Sequence, residues 1–167
     1  MNQGTLWVSA GPVSAFFRVV GRGTFQNAGL LKEAAGEVWS KGCRRVVVDL
    51  ADCRTMDSTF LGILAGLALR SRKESGEVIL TRVEGRNREL VEKMGLDRIM
   101  TVERDPKGTG AGPAHELVGG EMSREETRQT MLEAHKNLIE VDPGNEQRFQ
   151  DVVDFLRESV KRRPAGD

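Results

Sequence analysis

The sequence predicts an α/β fold, a mixed but mostly parallel sheet with helices packed on it, followed by a C-terminal helical hairpin. Three observations lead there. Over residues 1–103, short β-branched runs alternate with stretches of helical apolar spacing, the order that builds parallel sheets. The central run RRVVVDL (44–50) is short with an unbroken β-branched centre, as a strand covered on both faces must be. Residues 104–120 then hold five glycines and two prolines, a linker composition, before two amphipathic patterns begin.

TLWVSA (5–10) and AFFRVVG (15–21) predict two strands joined by a turn at Gly11-Pro12, with RGTF as the following loop. NAGLLKEAAGEVWSKG sets Leu30, Leu31, Ala34, Ala35, Val38 and Trp39 at helical spacing, and Gly42 can end that helix. After the 44–50 strand, STFLGILAGLALRSRKESG predicts a buried helix ending near Gly76. EVILTRV (77–83) is a strand, NRELVEKMG (87–95) a short helix and LDRIMTVE (96–103) a last edge strand. A chain ending at Glu103 has a complete sheet pattern and is expected to fold by itself. The division is thus 1–103 for the sheet domain, 104–120 for the linker and 121–163 for the hairpin.

In the hairpin, Ser123-Arg-Glu-Glu126 forms a capping box, and Asp142-Pro143 marks a second helix start as N-cap and N1. Met131, Leu132, His135, Leu138 and Ile139 share one face. Phe149, Val152, Val153, Phe155 and Leu156 line the next helix. Two lone helices cannot hide both stripes from water, so they must pack on their own sheet domain, on a second copy as a homodimer, or on a partner.

Composition narrows function. Lys+Arg and Asp+Glu both number 25, and the hairpin is itself near balance. Nucleic-acid binding needs a basic face to neutralise phosphates, so this class is disfavoured. No apolar run reaches the ~18 residues of a membrane span. Met1 to Ala10 lacks the charged start and apolar stretch of a signal peptide. Cys43 and Cys53 stand apart from any Cys/His cluster, which disfavours a disulfide scaffold or a zinc site. A cytoplasmic protein without metal or cofactor is expected. GRGTFQ lacks the third glycine of GxGxxG, and GTGAGP has no following Lys-Ser/Thr, so both read as loop geometry. Of two histidines, His115 is in the linker and His135 reads as a packing or half-exposed helical group. Nothing in the sequence pairs a nucleophile with a base, so an enzyme is not expected.

One stretch resists a purely structural reading. In TMDSTFLG (55–62), Asp57, Ser58 and Thr59 stand together between the apolar strand exit and the buried helix. A single Ser, Thr or Asp would cap the helix, a contribution of ~1 kcal/mol. Three adjacent polar groups exceed that need. They also lie past the carboxyl end of a parallel strand, where open α/β sheets meet ligands, and at a helix N-terminus that favours negative groups. Capping alone and a binding role both remain open on spacing.

VVVDLADCRTMDSTFLGIL resembles the signature of the STAS domain, named for sulfate transporters and anti-sigma factor antagonists. Met56, Asp57, Ser58, Thr59, Leu61 and Gly62 match the antagonist pattern of Met-Asp-Ser-Ser/Thr-x-x-Gly opening a helix. RELVEKMGLDRIMTV is similar to the family's last helix and strand. The resemblance implies a STAS-like fold, with Ser58 phosphorylated by a partner kinase and Thr59 as the alternative acceptor. It further implies that the unphosphorylated protein binds a serine-kinase-type anti-sigma factor, with Arg22, Thr24, Asp57, Ser58 and Thr59 at the docking surface. The alternative is a STAS protein that is never phosphorylated and binds a small molecule or lipid-system partner. Antagonists carry an acidic residue after the second strand where this chain has Gly21-Arg22-Gly23-Thr24-Phe25, and Phe60 replaces their frequent glycine.

Overall fold

The computed structural model describes residues 4–104 and 113–162. The strands are β1 (Thr5–Ala10), β2 (Ser14–Gly23), β3 (Arg45–Asp49), β4 (Cys53–Met56), β5 (Glu77–Thr81), β6 (Thr101–Glu103) and β7 (His115–Glu116). The helices are α1 (Phe25–Ser40), α2 (Ser58–Lys73), α3 (Gly85–Lys93), α4 (Arg124–Val141) and α5 (Asn145–Lys161). One sheet runs β6-β5-β3-β2-β1-β7, with β4 pairing on the far end of β2. Its pairings are parallel except where β1 meets β2 and β7. The mixed, mostly parallel α/β architecture is therefore as the sequence predicts.

The elements differ from expectation where the chain is polar or short. The stretch read as the exit of the central strand contains β4, a four-residue strand whose partner is the tail of β2. A four-residue strand next to a turn carries too little alternation to register. The edge strand expected over 96–103 is a 3-10 turn, Leu96–Arg98, and only then the three residues of β6. In the segment read as a linker, His115 and Glu116 pair with Val8 and Trp7, and Leu117 donates its amide to the Leu6 carbonyl at 2.8 Å. The other part of that linker, 105–112, lies outside the described residues. The second hairpin helix begins at Asn145 and not at Pro143, because Asp142 turns the chain first: its side chain accepts from the Gly144 amide at 2.9 Å.

The molecule has three layers. The sheet carries α1 and α2, with α1 on β1 and β2 and α2 on β5, and the α4–α5 hairpin lies on α2 and α1. Val46, Val47 and Val48 of β3 are fully buried, as expected for a central strand. Helix α2 is buried on almost all sides, from Thr59 through Ala65 and at Leu67, Ala68 and Ser71. A helix apolar all round needs covering on a second face, and the hairpin supplies it. Ala134 and Leu138 of α4, both at zero exposure, belong to the same core cluster as Phe60, Leu61 and Leu64. The hairpin thus packs on its own sheet domain.

The buried residues of α4 are Thr130, Ala134, His135 and Leu138, while Met131, Leu132 and Ile139 are half-buried. Selecting large apolar residues rotated the expected face, because the seat on α2 is glycine. A Cβ at Gly62 would fall on the carbonyl of Ala134, so the two backbones meet directly there. On α5, Val153 and Leu156 are buried, but Phe155 is 73 % exposed and does not share their face.

Candidate functional site

The site is built by two strand ends lying side by side. Arg22 and Gly23 of β2 pair in parallel with Thr55 and Met56 of β4, and the Asp57 amide donates to the Gly23 carbonyl at 2.9 Å. Each strand then turns directly into a helix, so α1 and α2 start as neighbours. A Cβ on Gly23 would come within 2.8 Å of the Phe60 ring. Phe60, fully buried, occupies the space that this glycine leaves. That is the physical setting for an aromatic ring where antagonists often have glycine.

Asp57 joins the two helix starts. One carboxylate oxygen accepts from the Phe60 amide at 2.8 Å, capping α2, and the other accepts from the Phe25 amide at 2.8 Å, the first residue of α1. Both are orphan helix amides that need an acceptor. Thr24 caps α1, accepting from Gln26 at 3.2 Å, and the Asn27 side chain returns to the Thr24 amide at 2.9 Å. The Arg22 carbonyl accepts from the Asn27 amide group at 2.8 Å. So Thr24 and Asp57 each carry a definite structural load, and the Arg22 side chain is exposed.

Ser58 opens α2 and is half-buried. Its hydroxyl lies 2.8 Å from Nε2 of His135 on α4, and Nδ1 of that histidine lies 2.6 Å from the Met131 carbonyl. His135 is 3 % exposed and its ring tilts against Phe149 of α5, with centroids 5.2 Å apart. This pair was invisible in the sequence, since the two residues stand 77 positions apart. The available signal was indirect: a histidine on an α-helical face, and an all-apolar helix in need of a second cover. Thr59 is 2 % exposed, so its hydroxyl does not face solvent. The structure therefore gathers Arg22, Thr24, Asp57 and Ser58 along one edge, with Thr59 beneath it.

A groove of about 1120 Å³ opens between α1, α2 and α4, and its walls include Lys32, Arg70, Glu126, Thr130 and Asn137. Ser58 does not line it. Among the described residues, no cluster of His, Cys, Asp or Glu can hold a metal ion, and no helix is long and apolar enough to cross a membrane. Both cysteines are buried and free, and burial pushes the Cys53 thiol up from its ordinary range.

Comparison with known proteins matches residues 10–107 to the STAS domain. An anti-sigma factor antagonist from Mycobacterium paratuberculosis superposes with a TM-score of 0.52 at 25% identity, covering 60% of this chain and 86% of that one. The anti-sigma factor antagonist SpoIIAA in its unphosphorylated form gives a TM-score of 0.51 at 12% identity, covering 62% and 89%. The phosphorylated form of SpoIIAA, a Bacillus cell fate determinant, gives a TM-score of 0.50 at 14% identity, covering 59% and 89%. No curated protein matches the sequence.

Proposed function

The chain belongs to the STAS domain family, and from that premise we propose that it is a cytoplasmic protein-binding module working in the manner of an anti-sigma factor antagonist. It binds a protein partner, a serine-kinase-type anti-sigma factor, while Ser58 is unphosphorylated, and it loses that partner when Ser58 carries phosphate. It acts by binding and not by turning over a substrate. The observation that carries this reading is the placement of Ser58: the first residue of α2, half-exposed, beside the exposed Arg22 and Phe25 at the joint of two helix starts. Thr59, in the family's adjacent acceptor position, is buried, which favours Ser58.

Phosphate adds about −1.5 to −2 charges at this joint. The helix end offsets only about 0.3–1 kcal/mol of that, and Asp57 opposes it. A near-complete switch needs about 5.5 kcal/mol of differential binding. The larger part must arise at the interface, where a phosphate that meets no basic group on the docked protein is desolvated. The switch is therefore exclusion at a docking edge, with no refolding. The groove between α1, α2 and α4 does not have Ser58 in its wall, which gives the alternative of a small molecule or lipid bound at Ser58 no support from that groove.

The test uses Ser58→Ala and Ser58→Asp as baits. The Ala variant is expected to retain a kinase-fold partner in the presence of ATP and the Asp variant to lose it, with phosphate found on Ser58 of the wild type by peptide mapping. Equal recovery on both baits, with no phosphate on the wild type, sinks the reading.

A further inference from the structure

We propose that His135, carried by the C-terminal hairpin, accepts the proton of Ser58 as that hydroxyl attacks an electrophilic phosphorus, so that the hairpin makes this serine a stronger phosphate acceptor. The proposal rests on the reading of Ser58 as a phosphorylation site and adds a cis-acting base to it.

The hydrogen-bond inventory decides the tautomer. A carbonyl only accepts, so the 2.6 Å contact with Met131 requires a proton on Nδ1. In the neutral ring Nε2 is then a lone pair, and at 2.8 Å the Ser58 hydroxyl donates to it. This is the arrangement of nucleophile, base and third group orienting the base that activates a weak hydroxyl. The ring is held firmly. It is 3 % exposed and rests on Phe149, and the backbone that bears it is tied to α2 by the Asn137 amide group donating to the Gly62 carbonyl at 3.1 Å. The Asn145 side chain ties the hairpin turn to the Met94 carbonyl at 3.0 Å.

In the step itself, a bond forms from Ser58 Oγ to the terminal phosphorus of a kinase-bound nucleoside triphosphate. The bond from that phosphorus to the bridging oxygen breaks, the nucleoside diphosphate leaves with its electron pair, and the Ser58 proton moves to Nε2. The resulting imidazolium directs one N–H at the Met131 carbonyl and the other at the new phosphate. On α4, Glu133 is paired with Lys32 and Lys136 is exposed. On α5, Arg148 beside Phe149 donates to the Asn145 side-chain oxygen at 3.0 Å.

A fluorophosphonate probe tests this on the full chain without a kinase, because attack by Ser58 expels fluoride and needs the same proton acceptor. In the wild type, Ser58 is expected to react faster than the exposed Ser40 and Ser123. His135→Gln is expected to lower the Ser58 rate by about 100-fold or more, with melting curves confirming that the variant folds. A wild type with no preference for Ser58 overturns the proposal without reference to any variant. A rate that is unchanged or raised in His135→Gln also overturns it, since a hairpin that merely shields Ser58 predicts the opposite sign. If the probe shows no activation but kinase treatment still places phosphate on Ser58, the base role alone fails. If kinase treatment places no phosphate there, the underlying reading fails.

Discussion

At the scale of single residues, Asp57 combines two tasks that the chain could have divided. Its carboxylate satisfies an amide at the start of each of two helices, so it holds the two helix starts together. Asp57→Ala should therefore lower unfolding free energy by about 1–3 kcal/mol, above the cost of one lost cap, read from urea denaturation. A midpoint unchanged from wild type would mean that water replaces the carboxylate at both amides. Arg22 presents the opposite case, an exposed side chain on the same edge. Arg22→Glu should leave the melting temperature within a degree or two, because exposed substitutions shift stability by less than about 0.5 kcal/mol. It should weaken partner affinity in a calorimetric titration, and an unchanged affinity would place the interface elsewhere.

At the scale of elements, the packing of α4 on α2 is governed by small residues. Gly62 lets the Ala134 backbone in, and Gly66, one turn along, meets only the Asn137 side chain. The two glycines should consequently differ in cost. Gly62→Ala forces two backbones apart and should destabilise by about 1–3 kcal/mol, with faster amide exchange along α4. Gly66→Ala displaces the end of the Asn137 side chain, which donates to the Gly62 carbonyl, but moves no backbone and gains helix propensity worth up to ~1 kcal/mol, so its net cost should be clearly smaller. Equal losses at both positions would contradict the close approach. This interface was hard to read in advance for the same reason. Periodicity searches weigh large apolar side chains, and they rank Met131, Leu132 and Phe155 above the Ala134 and Gly62 that make the contact. FLGILAGLAL did carry the hint, since its apolar character continues around the whole helix.

At the scale of the whole molecule, the hairpin belongs to the fold and is not an appendage. Ala134 and Leu138 sit in the main core cluster, and β7 adds a further edge pairing to β1. A chain ending at Glu103, which the completeness of the sheet pattern predicted to be self-sufficient, should instead expose the α2 face around Gly62. It should aggregate, or lose several kcal/mol of stability, at a scale of about 25 cal/mol per Å² of uncovered apolar surface. Size-exclusion chromatography and denaturation of the truncated chain measure this. Melting indistinguishable from the full chain would show that the hairpin adds nothing to the core.

Much was settled by the sequence alone, because it depends on neighbours along the chain. Alternating strand and helix patterns dictated the α/β layering, the run at 44–50 placed the central strand, and Met56 to Gly62 carried the STAS signature at a strand-to-helix joint. Each rests on local periodicity or on a side chain bonding within a few residues of itself. The tertiary structure decided everything that required two distant segments to meet. It brought the tail of β2 beside β4, so that one aspartate serves two helices, and it turned the small-residue face of α4 onto α2. It also set His135 against Ser58 across 77 positions. Close backbone approach and a hydrogen bond between remote side chains leave no periodic trace along the chain, so only the packed molecule reveals them.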